Sequence, residues 1–233
     1  MATQTDGTIY ASLREAILSL DLVPGEKLSE RGLEALLGAS RTPIRAALMR
    51  LENEGLTERV GRGWQVTPID LAEIRAVMEY REAIEKAAVA LAIDRADAEE
   101  LATLRALVDS APRDDSEESG LRDGGDFHLA LARLSRNSFL ADAVGASLTR
   151  LSRTRWLEVR TAESRALARA EHVAIIAAMS AGDAERADTL ISAHVRGTRD
   201  RLMAHLSEEH RRLRGRGFSI IESSTTPPPL PNP

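Results

Sequence analysis

Apolar residues recur along the chain in two regimes, and the change falls near position 70. Up to there, short periodic runs are broken by turn signals at Pro24-Gly25, Gly38, Gly55 and Gly61 with Gly63. Ile9, Leu13, Ile17 and Leu20 repeat at helical spacing and predict a first helix over 8–20. Ser29 is placed to cap a short second helix that ends at Gly38. Ser40 is placed to cap a third, with Pro43 in its first turn, where a missing N–H costs little. Residues 56–60 and 64–67 read as two short strands joined across Gly61-Arg62-Gly63. Three helices followed by a β-hairpin is the order of a winged helix-turn-helix.

Beyond position 70 the pattern predicts about six longer helices. Asp70 with Glu73 forms a capping-box signature for a helix reaching about Ile93, and a second runs from Asp97 to about Ser110. A polar stretch over 112–120 reads as a loop. Further helices are expected over about 121–136, 138–161, 163–180 and 183–208. The end of the chain, TTPPPLPNP, predicts a disordered tail. The expected fold is mainly α, with a winged helix-turn-helix domain over 1–69, an all-helical bundle over 70–212 and a tail over 213–233.

Composition narrows the chemistry. With 233 residues, 43% of them hydrophobic, the chain can bury one large core or two small ones. It has no cysteine, which excludes disulfides, zinc fingers, iron–sulfur clusters and thiol nucleophiles. No stretch approaches the roughly 20 apolar residues needed to cross a bilayer. The start, MATQTDGTIYASLRE, lacks a basic region followed by an apolar core. A cytoplasmic protein without a membrane partner is expected.

The strongest local chemistry lies in SRTPIRAALMRL, residues 40–51. On a helix starting after Ser40, the residues Ile44, Ala47, Leu48 and Leu51 form the inward stripe. Arg41 and Arg45 then share another face, one turn apart, beside Thr42. Arginine forks suit guanine edges and phosphate oxygens, and the first turn of such a helix enters the major groove. Arg62, set between two glycines, could approach a DNA backbone or minor groove. The competing reading is an ordinary solvated helix face. Residues 1–70 carry eight Lys/Arg against ten Asp/Glu, so any attraction to DNA must be local to one face.

The helical half offers a second constellation. His128, His172 and His194 each fall on an apolar stripe of a separate helix. Three inward histidines could meet and bind a divalent cation such as zinc, nickel or manganese through imidazole nitrogens. Each alone would read as a hydrogen-bonded core residue. Arg81 interrupts the stripe of Ile74, Val77, Ile84, Ala88 and Leu91, so its guanidinium should face the core and needs an anion there. Two readings stay open for it, an i,i+4 pair with Glu85 or a clamp for a ligand carboxylate.

These motifs resemble a known family. PGEKLSE, SRTPIRAAL, EGL and the GRGWQV hairpin are similar to the DNA-binding domain of GntR-family transcription regulators over about sixty residues. The resemblance implies DNA contacts by Arg31, Ser40, Arg41, Thr42, Arg45 and the wing residues Gly61, Arg62 and Gly63. The usual acid after the last arginine of SRTPIR is replaced by Ala46. MEYREAIEKAAVALA, DFHLALARLSRNSFL, EHVAIIAAMSAGDAERA and SAHV resemble the all-helical FCD ligand-binding domain of the FadR subfamily, in its shorter six-helix branch. By that resemblance His128, His172 and His194 are metal ligands, and the effector is a small carboxylate or related metabolite. The family's fourth ligand, an aspartate one turn before the first histidine, falls here on Gly124. Asp126 points nearly the opposite way. Asp123, about 140° round a helix of about 3.6 residues per turn, could be turned inward by Gly124-Gly125.

The expectation is therefore a ligand-responsive transcriptional regulator and not an enzyme, most simply a repressor, binding a palindromic operator as a homodimer. The alternative is a metal-dependent hydrolase or lyase using the three histidines and an open coordination position.

Overall fold

A computed structural model of the chain describes residues 6–110, 117–155, 161–215 and 217–223. Helix α1 (Asp6–Leu18) turns Ile9, Leu13 and Ile17 inward. After it come β1 (Lys27–Leu28), α2 (Glu30–Leu37), α3 (Arg41–Asn53), β2 (Thr57–Val60) and β3 (Gly63–Val66). The inward residues of α1 pack with Leu33, Ile44, Leu48, Leu51, Leu56, Trp64 and Val66 into one cluster. The expected stripe of α3 is the buried one. Strand β1 has no counterpart in the sequence reading, because two residues carry no period. It pairs antiparallel with β3, giving a three-stranded sheet of order β1-β3-β2. The hairpin closes on Val60↔Gly63, so its turn is Gly61-Arg62, and Gly61 takes φ 60°, a conformation that favours glycine. Gly63 belongs to the strand.

Six helices follow among the described residues: α4 (Leu71–Arg95), α5 (Ala98–Asp109), α6 (Glu117–Leu134), α7 (Ser138–Arg155), α8 (Ala162–Ser180) and α9 (Ala184–Gly215). Helix α4 runs against α6, α7 and α9, and its inward face carries Ile74, Met78, Arg81, Ile84, Glu85, Ala88, Val89 and Ala92. A second apolar cluster, separate from that of the N-terminal domain, joins these to Phe127, Leu131, Val144, Leu151, Ile175, Ile176, Ile191, Val195 and Leu202.

Several boundaries differ from expectation. Asp70 caps α4 by accepting from Ala72 N at 2.9 Å, but Glu73 binds Arg150 Nη1 at 2.5 Å instead of closing a capping box. The reciprocal box lies at α5, where Asp97 accepts from Glu100 N at 2.8 Å and Glu100 accepts from Asp97 N at 3.1 Å. Helix α6 begins at Glu117, inside the expected loop. Its EES start suits the positive end of the helix dipole. Of the helix expected over 138–161, residues 156–160 lie outside the described residues.

Correction is also needed at the C-terminus. Helix α9 continues past 208 to Gly215, and residues 217–223 do not belong to a disordered tail. Phe218 and Ile220 are buried in the helical core, and β5 (Ile220–Ile221) pairs in parallel with β4 (Ile69–Asp70). Two large apolar side chains at alternate positions give that segment something to bury, which the proline-rich end lacks. Residues 224–233 lie outside the described residues.

Candidate functional site

The DNA-facing chemistry is built on α2 and α3. Ser29 caps α2, accepting from Gly32 N at 3.0 Å, and Gly38 ends it. Ser40 stands at the N-cap of α3 without a side-chain cap hydrogen bond. Arg31, Ser40, Arg41, Thr42, Arg45, Gly61 and Arg62 are all exposed, and Gly63 is half-buried. The two α3 arginines are not free of the protein. Arg41 Nε donates to Glu34 at 3.2 Å, and Arg45 Nε lies 3.9 Å from Glu30, so acids of α2 hold both guanidiniums beside the α3 N-terminus. Sequence reasoning missed these tethers, because the two pairs meet only once α2 and α3 pack. Behind α3, the Arg50 guanidinium stacks over Tyr10 at 3.7 Å, and the Tyr10 hydroxyl donates to Glu54, which also pairs with Arg14.

The three histidines converge. His128 (α6), His172 (α8) and His194 (α9) are all buried, and one nitrogen from each lies within 4.8 Å of the others. His194 Nε2 sits 3.2 Å from His128 Nε2 and 3.4 Å from His172 Nε2. Carboxylates back two of the rings on the other side. His128 Nδ1 lies 2.8 Å from Glu85 Oε2, and His194 Nδ1 lies 2.6 Å from Glu171 Oε2. A carboxylate holds the proton on Nδ1 and leaves Nε2 a bare lone pair, as acids behind metal-bound imidazoles do. Two such lone pairs cannot hydrogen-bond each other across 3.2 Å. An ion bound by imidazole at about 2.0–2.1 Å in tetrahedral geometry spaces its ligand nitrogens by about 3.3 Å. The donor set fits a first-row divalent cation on these observations.

Arg81 and Glu85 meet on the inward face of α4. Arg81 Nε donates to Glu85 Oε1, so the i,i+4 pair forms, with both residues buried. Burial by itself would raise the Glu85 carboxyl, but the charge of Arg81 and the hydrogen bonds from His128 and Arg81 outweigh it and hold the group well below the usual carboxylate range. His128 is pushed down to about 3, chiefly by burial and next by Arg81, against the pull of Glu85. The ring is therefore neutral, the form that ligates metals. The pair does not use up Arg81, because Nη1 and Nη2 are buried with no hydrogen-bond partner among the described residues. Phe127 stacks on His172 with ring centroids 3.9 Å apart.

The side chain of Asp123 lies outside what is described, and Asp126 is exposed. Glu85, Glu171 and Phe127 were not recognised from sequence as parts of the histidine cluster. Glu85 had a signal, its place one turn from an inward arginine. Glu171 had none, because it backs a histidine on a different helix.

Comparison with known proteins places both halves. Residues 5–66 match the bacterial regulatory proteins of the gntR family, and residues 76–197 match the FCD domain. An HTH-type transcriptional regulator from an unstable DNA locus of Streptomyces ambofaciens is 35% identical over 207 residues, covering 86% of this chain and 87% of that protein. The Nta operon transcriptional regulator of Aminobacter aminovorans is 31% identical over 185 residues, covering 77% of this chain and 86% of that one. Among solved structures, a GntR transcriptional regulator from a Rhodococcus species superposes with a TM-score of 0.72 at 21% identity, covering 85% of this chain and 97% of the other. Among the described residues no helix is long and apolar enough to cross a membrane. The chain belongs to the GntR family of bacterial transcription regulators, in the FCD-containing FadR subfamily, and is a ligand-responsive DNA-binding regulator.

Proposed function

We propose that the protein is a homodimeric repressor that reads a palindromic operator and releases it in response to a small carboxylate bound at the three-histidine site. Recognition at the DNA rests on Arg41, Thr42 and Arg45 at the start of α3, with Arg31 and Ser40 beside them and Gly61, Arg62 and Gly63 in the wing. Their exposure supports this reading. Two-fold symmetry follows from the few bases that one recognition helix spans.

The observation that carries the effector half is the meeting of three imidazole nitrogens with carboxylates behind two of the rings. His128, His172 and His194 would hold a divalent ion of the zinc, nickel or manganese class, and that ion would supply Lewis acidity toward an anionic ligand. The chain's own residues do the rest. Glu85 and Glu171 fix the imidazole tautomers, and the buried guanidinium of Arg81 offers two unsatisfied nitrogens to a carboxylate. Glu85 is committed to Arg81 and His128, and Glu171 to His194, which favours a binding site over a hydrolase with a carboxylate base. Asp123 remains a candidate fourth ligand.

Gel shifts on a duplex from the upstream region of the protein's own gene test the first half, with selection from random duplexes as a second source of probe. Sequence-selective, salt-sensitive binding by a dimer is expected, and binding indifferent to sequence overturns it. Metal analysis of the purified protein tests the second half. Divalent metal in the parent and its loss in His172→Ala is expected, and equal content in both overturns the site.

A further inference from the structure

Helix α9 leads into a segment that returns to the junction between the two domains. At Gly217, φ reaches 90°, and the chain turns so that Phe218 and Ile220 enter the helical core. The same core receives Leu20 and Val23 from the loop after α1. Ser219 N donates to Pro24 O at 2.8 Å, and Ser219 O accepts from Ile69 N at 2.9 Å. Ser223 N donates to Asp70 Oδ1 at 3.1 Å, and Glu222 binds Arg75 at 2.7 Å. The segment thus touches a loop of the DNA-binding domain, the linker at β4 and Arg75 near the start of α4. The fit to the loop is close. A Cβ on Gly25, where φ is 86°, would lie 2.3 Å from Ser219 Cβ.

We propose that residues 217–223 are a strap that fixes the orientation of the DNA-binding domain on the helical domain, with α9 as its lever. Beside the packing of Leu20 and Val23, contacts across the junction include Arg153 donating to Thr67 O, Arg14 reaching Thr149 at 3.5 Å and the Arg150 guanidinium close to Gly55. The strap adds apolar burial to them, yet its ladder is only two residues long, an element that opens at low free-energy cost. A segment of that kind is held in place or released by small changes in the element that carries it. Helix α9 also carries His194, about 32 Å along the helix from Gly215 at 1.5 Å per residue. The lever half of the proposal rests on the reading of the histidine cluster; the strap half does not.

The test compares the full chain with one ending at Gly215, one ending at Ser223, and the full chain bearing Ile220→Asp. Circular dichroism and thermal unfolding establish that each is folded. Small-angle scattering decides the strap. The chain ending at Ser223 should keep the parent's interdomain scattering profile. The chain ending at Gly215 and Ile220→Asp should give a broadened, more extended profile, with loss of amide-exchange protection over 20–28 and at Ile69. An unchanged profile in those two variants overturns the strap, whatever the local exchange does. Zinc titration decides the lever. Binding measured by calorimetry should be equal in the full and strapless chains, while a zinc-dependent change in exchange over 20–28 should occur in the full chain alone. The same change in both chains, or none in either despite binding, overturns the lever. Absence of zinc binding refutes the histidine reading and with it the lever, leaving the strap to be judged on the metal-free profiles.

Discussion

Glu85 is the residue on which the buried polar network of the helical domain turns. It is 0% exposed, accepts from Arg81, which is 1% exposed, and lies 2.8 Å from His128 Nδ1. In Glu85→Ala the guanidinium stays buried without its counter-charge. Removing one partner of a buried pair costs about 3–5 kcal/mol. For a chain of this size about 1 kcal/mol moves Tm by about 2–4 °C, so a fall of about 6–20 °C is expected in the metal-free protein. Replacing both partners by apolar residues should cost less, not more. Arg81→Met with Glu85→Leu removes the stranded charge and leaves one orphaned donor, His128 Nδ1–H, at about 1–3 kcal/mol. Glu85→Gln should fall between, since it keeps an acceptor oxygen but loses the charge. Urea unfolding with metal removed, followed by helical signal, gives the three values on one scale. The reasoning fails if the double variant is as unstable as Glu85→Ala or worse. That result would mean Arg81 finds another anion or escapes to water when Glu85 is gone.

Four further outcomes follow from the same geometry. Acid should destabilise the fold from about pH 6.5 downward, because His128 stays neutral to about 3 in the folded chain while the unfolded chain takes up its proton near 6.5, at about 1.4 kcal/mol per pH unit. The depressed Glu85 adds to this: its stabilisation is complete above about pH 4.3 and is lost as pH falls toward its folded value. The urea midpoint against pH should show the slope, and an undiminished slope in His128→Gln would remove His128 as its cause. Arg45→Ala should weaken operator binding by about 1–3 kcal/mol and relax selectivity at one position per half-site, whereas Arg62→Ala should weaken binding evenly across sequences. Glu34→Gln should strengthen DNA binding by up to about 1 kcal/mol by freeing Arg41 from an exposed pair, and weakened binding in a folded variant would show that the tether positions the arginine instead. Asp97→Ala should cost about 0.5–2 kcal/mol in urea unfolding through loss of the α5 capping box, and a change below that range would mean that water replaces the cap.

What the sequence made legible follows from the range of each interaction. Helix α3 was readable because its cap position, first-turn proline and inward stripe lie within thirteen residues and all agree. The wing was readable because Gly61 marks its turn. Strand β1 and the strap were not, since Lys27-Leu28 and Phe218-Ser219-Ile220 are too short to show a period and gain their structure from β3, β4 and Pro24. The end of α9 was set too early because residues after Leu206 carry no continuing apolar stripe, although the helix goes on.

The histidine cluster marks the boundary most sharply. Each ring could be assigned to an inward face from its own helix, so convergence was a reasonable inference from three stripes. Arg81 and Glu85 share a face one turn apart, so their pair was legible too. Glu171 precedes His172 by one residue and so points about 100° away from it on α8, which by local reasoning excludes it from the same site. Its carboxylate nevertheless reaches His194 Nδ1 at 2.6 Å, so α9 meets α8 at Glu171 as well as at His172. Periodicity tells which side of a helix faces inward. It does not tell which neighbour that side meets or at what angle. A carboxylate that orients a ligating imidazole can therefore stand one residue before an inward histidine, as Glu171 does, as well as one turn from an inward arginine, as Glu85 does.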